Sequence, residues 1–254
     1  MIIFTCKDIF EDMMTCIYDA WAEANAIGHS SVRLMTEPAG DMELFCEYRH
    51  VDPDPQKVQK VIRTIHKKLN WEAYQLVYKS AMSFASNKLD AIYRFLILGF
   101  AAGPRVLQML QAPQVITVFE LSRKVTNEAH LFREFLRFER MDQNVLMARI
   151  SPKCNILTIL GPQFSDRMPS ENWMIIDDTR NLAAVHPADE EYYLTPLGQA
   201  DLEQLNAHRE TTDPYVALWK SFFRTIGIQE RKNYQCQRTM MPLWYRKHMT
   251  EFLP

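Results

Sequence analysis

A regular stripe of apolar positions runs between about residues 114 and 137. An α-helix turns by about 100° per residue, so positions three, four or seven apart share one face. One face of this segment is apolar at that spacing, and it consists of Val118, Leu121, Val125, Phe132 and Leu136. The same period recurs in both halves of the chain. It predicts helices over about 9–26, 55–69, 71–85, 88–102, 114–137 and 155–164, and again from 214 to the end.

Several of these helices have recognisable ends. Asp8 is a predicted N-cap, and Glu11 three residues later completes a capping box. Asp54, followed by proline, and Asn70 open the next two helices. Gly103 ends the helix over 88–102, which is apolar on nearly all sides. That helix is therefore expected at the centre of a helical core.

Shorter apolar runs predict strands. Residues 30–51 are expected to form a loose hairpin or loop around Pro38-Ala39-Gly40-Asp41, and the polar segment 196–213 is expected to be a linker. A turn at Asp142-Gln143-Asn144 joins two of the predicted strands. The strands lie over 1–6, 138–141, 145–150, 173–176, 182–186 and 192–194.

This order of elements predicts an α+β fold with a helical N-terminal half, a small antiparallel sheet in the middle and a helical C-terminal segment. The chain has 254 residues, which allows one large domain or two small ones. The predicted division is a mainly helical part over 1–112 and an α+β part over 113–254, unless the two form one continuous domain.

Composition narrows the class of protein. Apolar residues make up 47% of the chain and charged residues 24%, which is typical of globular domains. Only 7 glycines are present, and neither glycine-rich phosphate-loop motif occurs. The apolar run 95–102 is too short to cross a bilayer, and Met1 is not followed by a basic leader. A soluble cytoplasmic protein without membrane contact is therefore expected.

The near-neutral total charge of −2 conceals alternating blocks. Residues 57–156 carry 16 basic and 7 acidic side chains, and residues 214–254 carry 7 and 2. Residues 1–56 and 157–213 each carry 3 basic and 11 acidic side chains. The two basic blocks could converge on a polyanion, or they could pair with the acidic blocks within the protein.

Few residues suggest catalysis or metal binding. The five cysteines are widely spread and form no C-x-x-C pair, so no metal ion, iron–sulfur cluster or other cofactor is expected. Asp177-Asp178 is the clearest carboxylate pair, although both residues suit a turn between strands. His130 lies on a helix face rich in cations. Asp178 and His130 are therefore the candidate catalytic residues, and no catalytic residue is established.

Basic residues suggest an anionic partner more strongly. Arg123, His130, Arg133 and Arg137 share the polar face opposite the apolar stripe, and few carboxylates at i+4 relieve their repulsion. The alternative is that Asp177, Asp178 or Glu171 neutralises this face internally. The basic block over residues 214–254, which we call the tail, also contains aromatic and amide side chains suited to nucleic acid. The predicted nucleic-acid-binding residues are Arg123, Arg133, Arg137, Arg180, Arg231, Lys232, Asn233 and Arg238.

Three long stretches resemble an uncharacterised bacterial family described as DNA-metabolism or DNA-repair proteins. They are Phe222 to Asn233 with Gln235, Gln237-Arg238 and Met241-Pro242; Arg123-Lys124-Val125, Glu128-Ala129-His130 and Phe135 to Phe138; and Phe164, Arg167, Glu171 to Ile176, Asp178 and Arg180. The part of the chain before them is similar in outline. The resemblance implies a gene neighbour that encodes a radical-SAM protein thought to act in DNA modification or repair. A similar domain is fused to uracil-DNA-glycosylase-like proteins.

The expected function is thus that of a DNA-binding accessory protein in a radical-SAM-associated repair or modification system. Its expected partners are DNA and the radical-SAM protein, which would itself supply the iron–sulfur cluster. Two alternatives remain open. One is an enzyme that acts directly on a DNA base or backbone, and the other is a protein scaffold for the radical-SAM partner without DNA contact.

Overall fold

The computed structural model describes residues 1–38, 43–141, 144–207 and 214–253, without the side chains of residues 206, 207 and 229. The helices are α1 (Phe10–Ile27), α2 (Pro55–Lys68), α3 (Trp71–Ala81), α4 (Lys88–Ala102), α5 (Pro113–Phe135), α6 (Leu157–Arg167), α7 (Gln199–Ala207), α8 (Pro214–Thr225) and α9 (Tyr234–Met240). Shorter 3-10 helices lie at His29–Ser31, Gly103–Gln108, Gln229–Arg231, Leu243–His248 and Thr250–Phe252. The strands are β1 (Ile2–Cys6), β2 (Val32–Thr36), β3 (Glu47–His50), β4 (Phe138–Arg140), β5 (Leu146–Ile150), β6 (Trp173–Asp177), β7 (Leu182–His186) and β8 (Tyr193–Pro196). The predicted α+β class is confirmed.

The first sheet was not predicted. Its order is β2-β1-β3, and both outer strands run parallel to β1, with Ile2 opposite Val32 on one side and Glu47 on the other. The expectation of a hairpin or loop over 30–51 is therefore wrong, because β2 and β3 pair with the distant β1 instead of with each other. Of the predicted Pro38-Ala39-Gly40-Asp41 turn, residues 39–41 lie outside the described residues.

Most of the predicted helix ends are confirmed. Asp54 accepts hydrogen bonds from the backbone N–H groups of Gln56 and Lys57, and Asn70 caps α3 in the same way. The Asp8 cap is wrong: the residue before α1 is Ile9, which makes no side-chain capping bond. Asp8 instead lies 2.5 Å from the Nζ of Lys88, whose side chain is buried and needs a charged partner.

The central position predicted for the helix over 88–102 is confirmed within the unit Met1–Thr126. Leu89, Ile92 and Leu96 on α4 are completely buried. Gly103 follows the helix with φ of 67°, a conformation that glycine adopts without the strain that a Cβ would cause.

A five-stranded sheet of order β4-β5-β6-β7-β8 lies in the second unit, Asn127–Pro254. Neighbouring strands are antiparallel except β5 and β6, which run parallel. The sheet is thus mixed and not wholly antiparallel as predicted, because α6 connects β5 to β6 as a crossover that lets the two strands run in the same direction. Of the predicted turn between β4 and β5, residues 142 and 143 lie outside the described residues.

The polar segment predicted as a linker contains helix α7. Leu197 and Leu205 pack against a buried cluster of Met147, Ile176 and Ala183 from the sheet. Partial burial of Leu205 on α7, and of Leu197 just before it, stabilises a helix that its polar composition does not reveal. Residues 208–213 of the predicted linker lie outside the described residues.

The two compact units divide inside α5, between residues 126 and 127. The proposed domain boundary between residues 112 and 113 stays a prediction. In the described part of the chain, no single helix has the length and apolar character needed to span a membrane, and Lys88–Gln108 with Pro113–Phe135 reaches that threshold only as a pair bent by 65°.

Candidate functional site

Polar side chains gather where the two parallel strands β5 and β6 end. Ile150 lies opposite Asp177, and the backbone N–H of Asp178 donates to the carbonyl of Ile150 over 3.0 Å. Both strands therefore leave the sheet at the same edge. Ser151 is the first residue after β5, and Asp178 is the first after β6.

The carboxylate of Asp178 is held from the sheet itself. Arg149, near the end of β5, donates to its Oδ1 from Nε over 3.0 Å and from Nη2 over 2.7 Å. The other oxygen, Oδ2, lies 3.4 Å from Nε2 of His248. The Arg149 and Asp178 side chains are each 17% exposed, so the pair is partly shielded from solvent screening.

The hydroxyl of Ser151 lies between two side chains of the C-terminal segment. Its Oγ is 2.8 Å from Nε2 of His248 and 3.0 Å from Nζ of Lys247. We refer to Arg149, Ser151, Asp178, Lys247 and His248 as the Ser151 cluster. It combines a hydroxyl, an imidazole, two cations and a carboxylate within hydrogen-bonding or ion-pairing distance.

Two anchors position this cluster. Glu128 on α5 accepts hydrogen bonds from the backbone N–H groups of Lys153 (2.7 Å) and Cys154 (2.9 Å), which fixes the loop after Ser151. Tyr245 is buried, with its ring centroid 4.9 Å from that of Phe132. Burial also raises the pKa of Tyr245. The 3-10 helix that carries Lys247 and His248 is therefore packed against α5.

The neighbouring aspartate has a different role. Asp177 is fully buried, and its Oδ1 accepts from the backbone N–H groups of Thr179 and Arg180. Its Oδ2 lies 2.9 Å from Nη1 of Arg180, whose guanidinium also donates to the carbonyls of Pro152 and Lys153. Burial raises the pKa of Asp177, and Arg180 opposes that rise. Asp177 and Arg180 thus stabilise the turn, while Asp178 belongs to the Ser151 cluster.

The predicted basic face of α5 is only partly available to a ligand. Arg137 is paired with Glu251, with 2.8 Å between Nη2 and Oε1. Arg133 contacts Nδ1 of His130 over 2.8 Å and Oε1 of Glu134 over 3.3 Å. Arg123 is exposed and has no polar partner among the residues that the structure describes. Internal neutralisation does occur at Arg137, but Glu251 provides it rather than Asp177, Asp178 or Glu171.

The predicted nucleic-acid-binding residues of the tail do not all have the same surroundings. Asn233 caps α9 by accepting from the backbone N–H of Cys236 over 3.0 Å, so its side chain is engaged structurally. Arg231, Lys232 and Arg238 are exposed. Among the described residues, no hydrogen bond or ion pair joins Arg231, Lys232, Arg238 or His130 to the Ser151 cluster. Of the predicted site residues, only Asp178 is a member of that cluster.

The predicted site residues do not include Arg149, Ser151, Lys247 or His248. Ser151 and His248 are 97 residues apart, and no local motif connects them. Ser151 and Asp178 each directly follow a strand, and adjacent parallel strands end at one edge of a sheet. This positional signal depends on the parallel pairing of β5 and β6, whereas the sequence predicted an antiparallel sheet.

Metal ligation finds no support in the described parts of the chain, where no group of three or more histidine, cysteine, aspartate or glutamate side chains could hold an ion. The five cysteines are free thiols: Cys6, Cys16 and Cys154 are buried, Cys46 is partly exposed and Cys236 is exposed.

Comparison with known proteins gives one family. No curated protein matches the chain. The family model for a domain of unknown function, DUF4130, matches residues 86–251, which includes the whole five-stranded sheet and the Ser151 cluster. It also includes the stretches on which the resemblance to an uncharacterised family rests. The chain therefore belongs to the DUF4130 family.

Proposed function

We propose that the protein binds nucleic acid through exposed cations of its C-terminal segment and acts as an accessory protein in DNA repair or modification. The observation that carries this proposal is a set of exposed basic side chains without a carboxylate partner among the described residues. The set consists of Arg224, Arg231, Lys232 and Arg238.

The arrangement of carboxylates makes this surface more basic than its composition suggests. Residues 214–254 contain two acidic side chains, Glu230 and Glu251. Glu251 is 1% exposed and paired with Arg137, so it cannot neutralise the tail. Glu230 is thus the one remaining carboxylate of this segment. Such an excess of exposed cations favours binding to phosphates.

An exposed aromatic ring lies within the same segment. Tyr234 is 66% exposed and directly follows Arg231, Lys232 and Asn233 in the chain. Base stacking on an exposed aromatic ring stabilises single-stranded nucleic acid by about 1–3 kcal/mol per base. This ring favours a partner with unpaired bases over an uninterrupted duplex.

The association with a radical-SAM protein rests on the family resemblance. In this proposal the chain binds DNA, and the radical-SAM partner supplies the redox chemistry. The scaffold alternative, in which the chain holds the partner without DNA contact, predicts no intrinsic affinity for DNA.

Fluorescence anisotropy with labelled single-stranded and duplex DNA tests the proposal. The informative variant is Arg231→Glu/Lys232→Glu, and its control is Arg63→Glu/Lys67→Glu, which makes the same charge change at exposed positions of α2. We expect the tail variant to weaken binding at least tenfold, while the control changes it less than threefold. Equal losses in both variants, or no binding by the wild type at low salt, would contradict the proposal.

A further inference from the structure

The two neighbours of the Ser151 hydroxyl determine where its proton points. Lysine ammonium groups donate hydrogen bonds and accept none, so Ser151 Oγ accepts from Lys247 over 3.0 Å. When neutral His248 carries its proton on Nδ1, the serine proton is directed to Nε2, 2.8 Å away. A hydroxyl held against an accepting imidazole is the arrangement that activates serine nucleophiles.

Asp178 favours the transfer of that proton. Its Oδ2 lies 3.4 Å from the same His248 nitrogen, and Arg149 fixes the carboxylate through Oδ1. The carboxylate gains a favourable ion pair only when the imidazole becomes charged. Asp178 lies beside Nε2, whereas the carboxylate of a serine–histidine–aspartate triad binds Nδ1. In both arrangements a negative charge next to the ring stabilises the imidazolium.

We infer that Ser151 is a nucleophile for phosphate esters, with His248 as its general base and Asp178 as a positioning residue. Ser151 Oγ bonds to phosphorus as its proton moves to His248 Nε2. The bond between phosphorus and the leaving oxygen breaks, and that oxygen takes the proton from His248. The products are a phosphorylated serine and a free alcohol. This transfer changes no oxidation state, so it consumes no oxidant or reductant.

The charges around Ser151 favour an anionic electrophile. Lys247 is exposed and remains beside Oγ, where its ammonium can contact a phosphoryl oxygen. Lys153, two residues after Ser151, is also exposed. The cluster's carboxylate, Asp178, is paired with Arg149. These features favour a phosphate ester over a neutral acyl ester.

Bis(4-nitrophenyl) phosphate is a direct probe for this step, because attack by Ser151 releases coloured 4-nitrophenolate. We expect the full chain to release nitrophenolate. When hydrolysis of the phosphorylated serine is slow, mass spectrometry should also detect a nitrophenylphosphoryl adduct on Ser151. Ser151→Ala should abolish the release. Ser170→Ala, at an exposed serine that bonds to Asp189 over 3.1 Å, is the control and should leave it unchanged.

His248→Gln separates a chemical role from a structural one. General-base catalysis contributes about 10²–10⁴-fold, so the rate of nitrophenolate release by His248→Gln should fall at least 100-fold. The increase of that rate with pH should also disappear. The melting temperature of the variant shows whether it is folded. The inference is overturned if the wild type releases no more nitrophenolate than Ser151→Ala. It is also overturned if Ser151 reacts with 4-nitrophenyl acetate but not with the phosphate ester. Neither result depends on nucleic-acid binding by the tail.

Discussion

The guanidinium of Arg137 lies against the carboxylate of Glu251, which is 114 residues further along the chain. The contacts are 2.8 Å from Nη2 to Oε1, and 3.2 and 3.3 Å from Nε to the two carboxylate oxygens. The same guanidinium lies 5.4 Å from the ring centroid of Trp219 on α8. This pair therefore holds the C-terminal segment against the residues that directly follow α5. Because the Arg137 guanidinium is engaged with Glu251, it is not available to bind DNA phosphates.

We expect Arg137→Glu to destabilise the protein by about 3–5 kcal/mol, because it leaves the buried Glu251 carboxylate unpaired and facing another negative charge. Arg133→Glu is the matched control four residues earlier, in the last turn of α5, where the side chain is 40% exposed. That change should stay within about 0.5 kcal/mol. Urea unfolding followed by circular dichroism measures both. Similar losses in the two variants would mean that the Glu251 pair does not stabilise the fold.

The same pair predicts how stability depends on pH. Burial of Glu251 opposes its ionisation, but hydrogen bonds led by that from Arg137 outweigh burial and hold its pKa below the ordinary value of 4.5. A carboxyl group with a lowered pKa in the folded state stabilises the fold above its unfolded pKa and loses that effect on acidification. The stability difference between wild type and Glu251→Gln should therefore be largest near neutral pH and shrink as pH falls below about 4.5. A difference that grows with acid would contradict this assignment.

Helix ends could be predicted because their causes are local. The Asp54 and Asn70 side chains bond to backbone N–H groups two or three residues further on, which is a relationship visible in sequence. The parallel strands β2 and β3 could not be predicted this way, because each needs β1 as its partner. The link between Ser151 and His248 was hidden for the same reason, since the fold alone brings the two residues together.

Charge patterns had similar limits. The face shared by Arg133 and Arg137 suggested one continuous basic surface, yet only Arg137 has a buried carboxylate partner. That carboxylate belongs to a segment counted as basic from its overall charge. Net charge by block shows where cations are concentrated, but it does not show which of them the fold neutralises.

Gly161 on α6 packs closely against Tyr192, and this contact can be tested independently of the Arg137–Glu251 pair. A Cβ added there would lie 2.6 Å from Cζ of the Tyr192 ring, which is too short for a real contact. We expect Gly161→Ala to cost about 1–3 kcal/mol while Tyr192 is present. With Tyr192→Ala, the same change should instead stabilise by up to about 1 kcal/mol, because alanine favours helix more than glycine does.

Gly227→Ala is the control for that cycle, since its Cβ would lie no closer than 3.4 Å to other atoms. Thermal unfolding of the four members of the double-mutant cycle measures the coupling. Equal effects of Gly161→Ala in both backgrounds would show that Tyr192 does not pack on α6 in solution.

The most direct test of nucleic-acid binding through the tail is the salt dependence of DNA affinity. Each phosphate neutralised contributes about −0.7 for single strands to the slope of log K against log salt concentration. If Arg231 and Lys232 each contact a phosphate, the slope for Arg231→Gln/Lys232→Gln should be shallower than that of the wild type by about 1.4. Arg63→Gln/Lys67→Gln should keep the wild-type slope. An unchanged slope in the tail variant, or an equal loss in the control, would contradict binding through this surface.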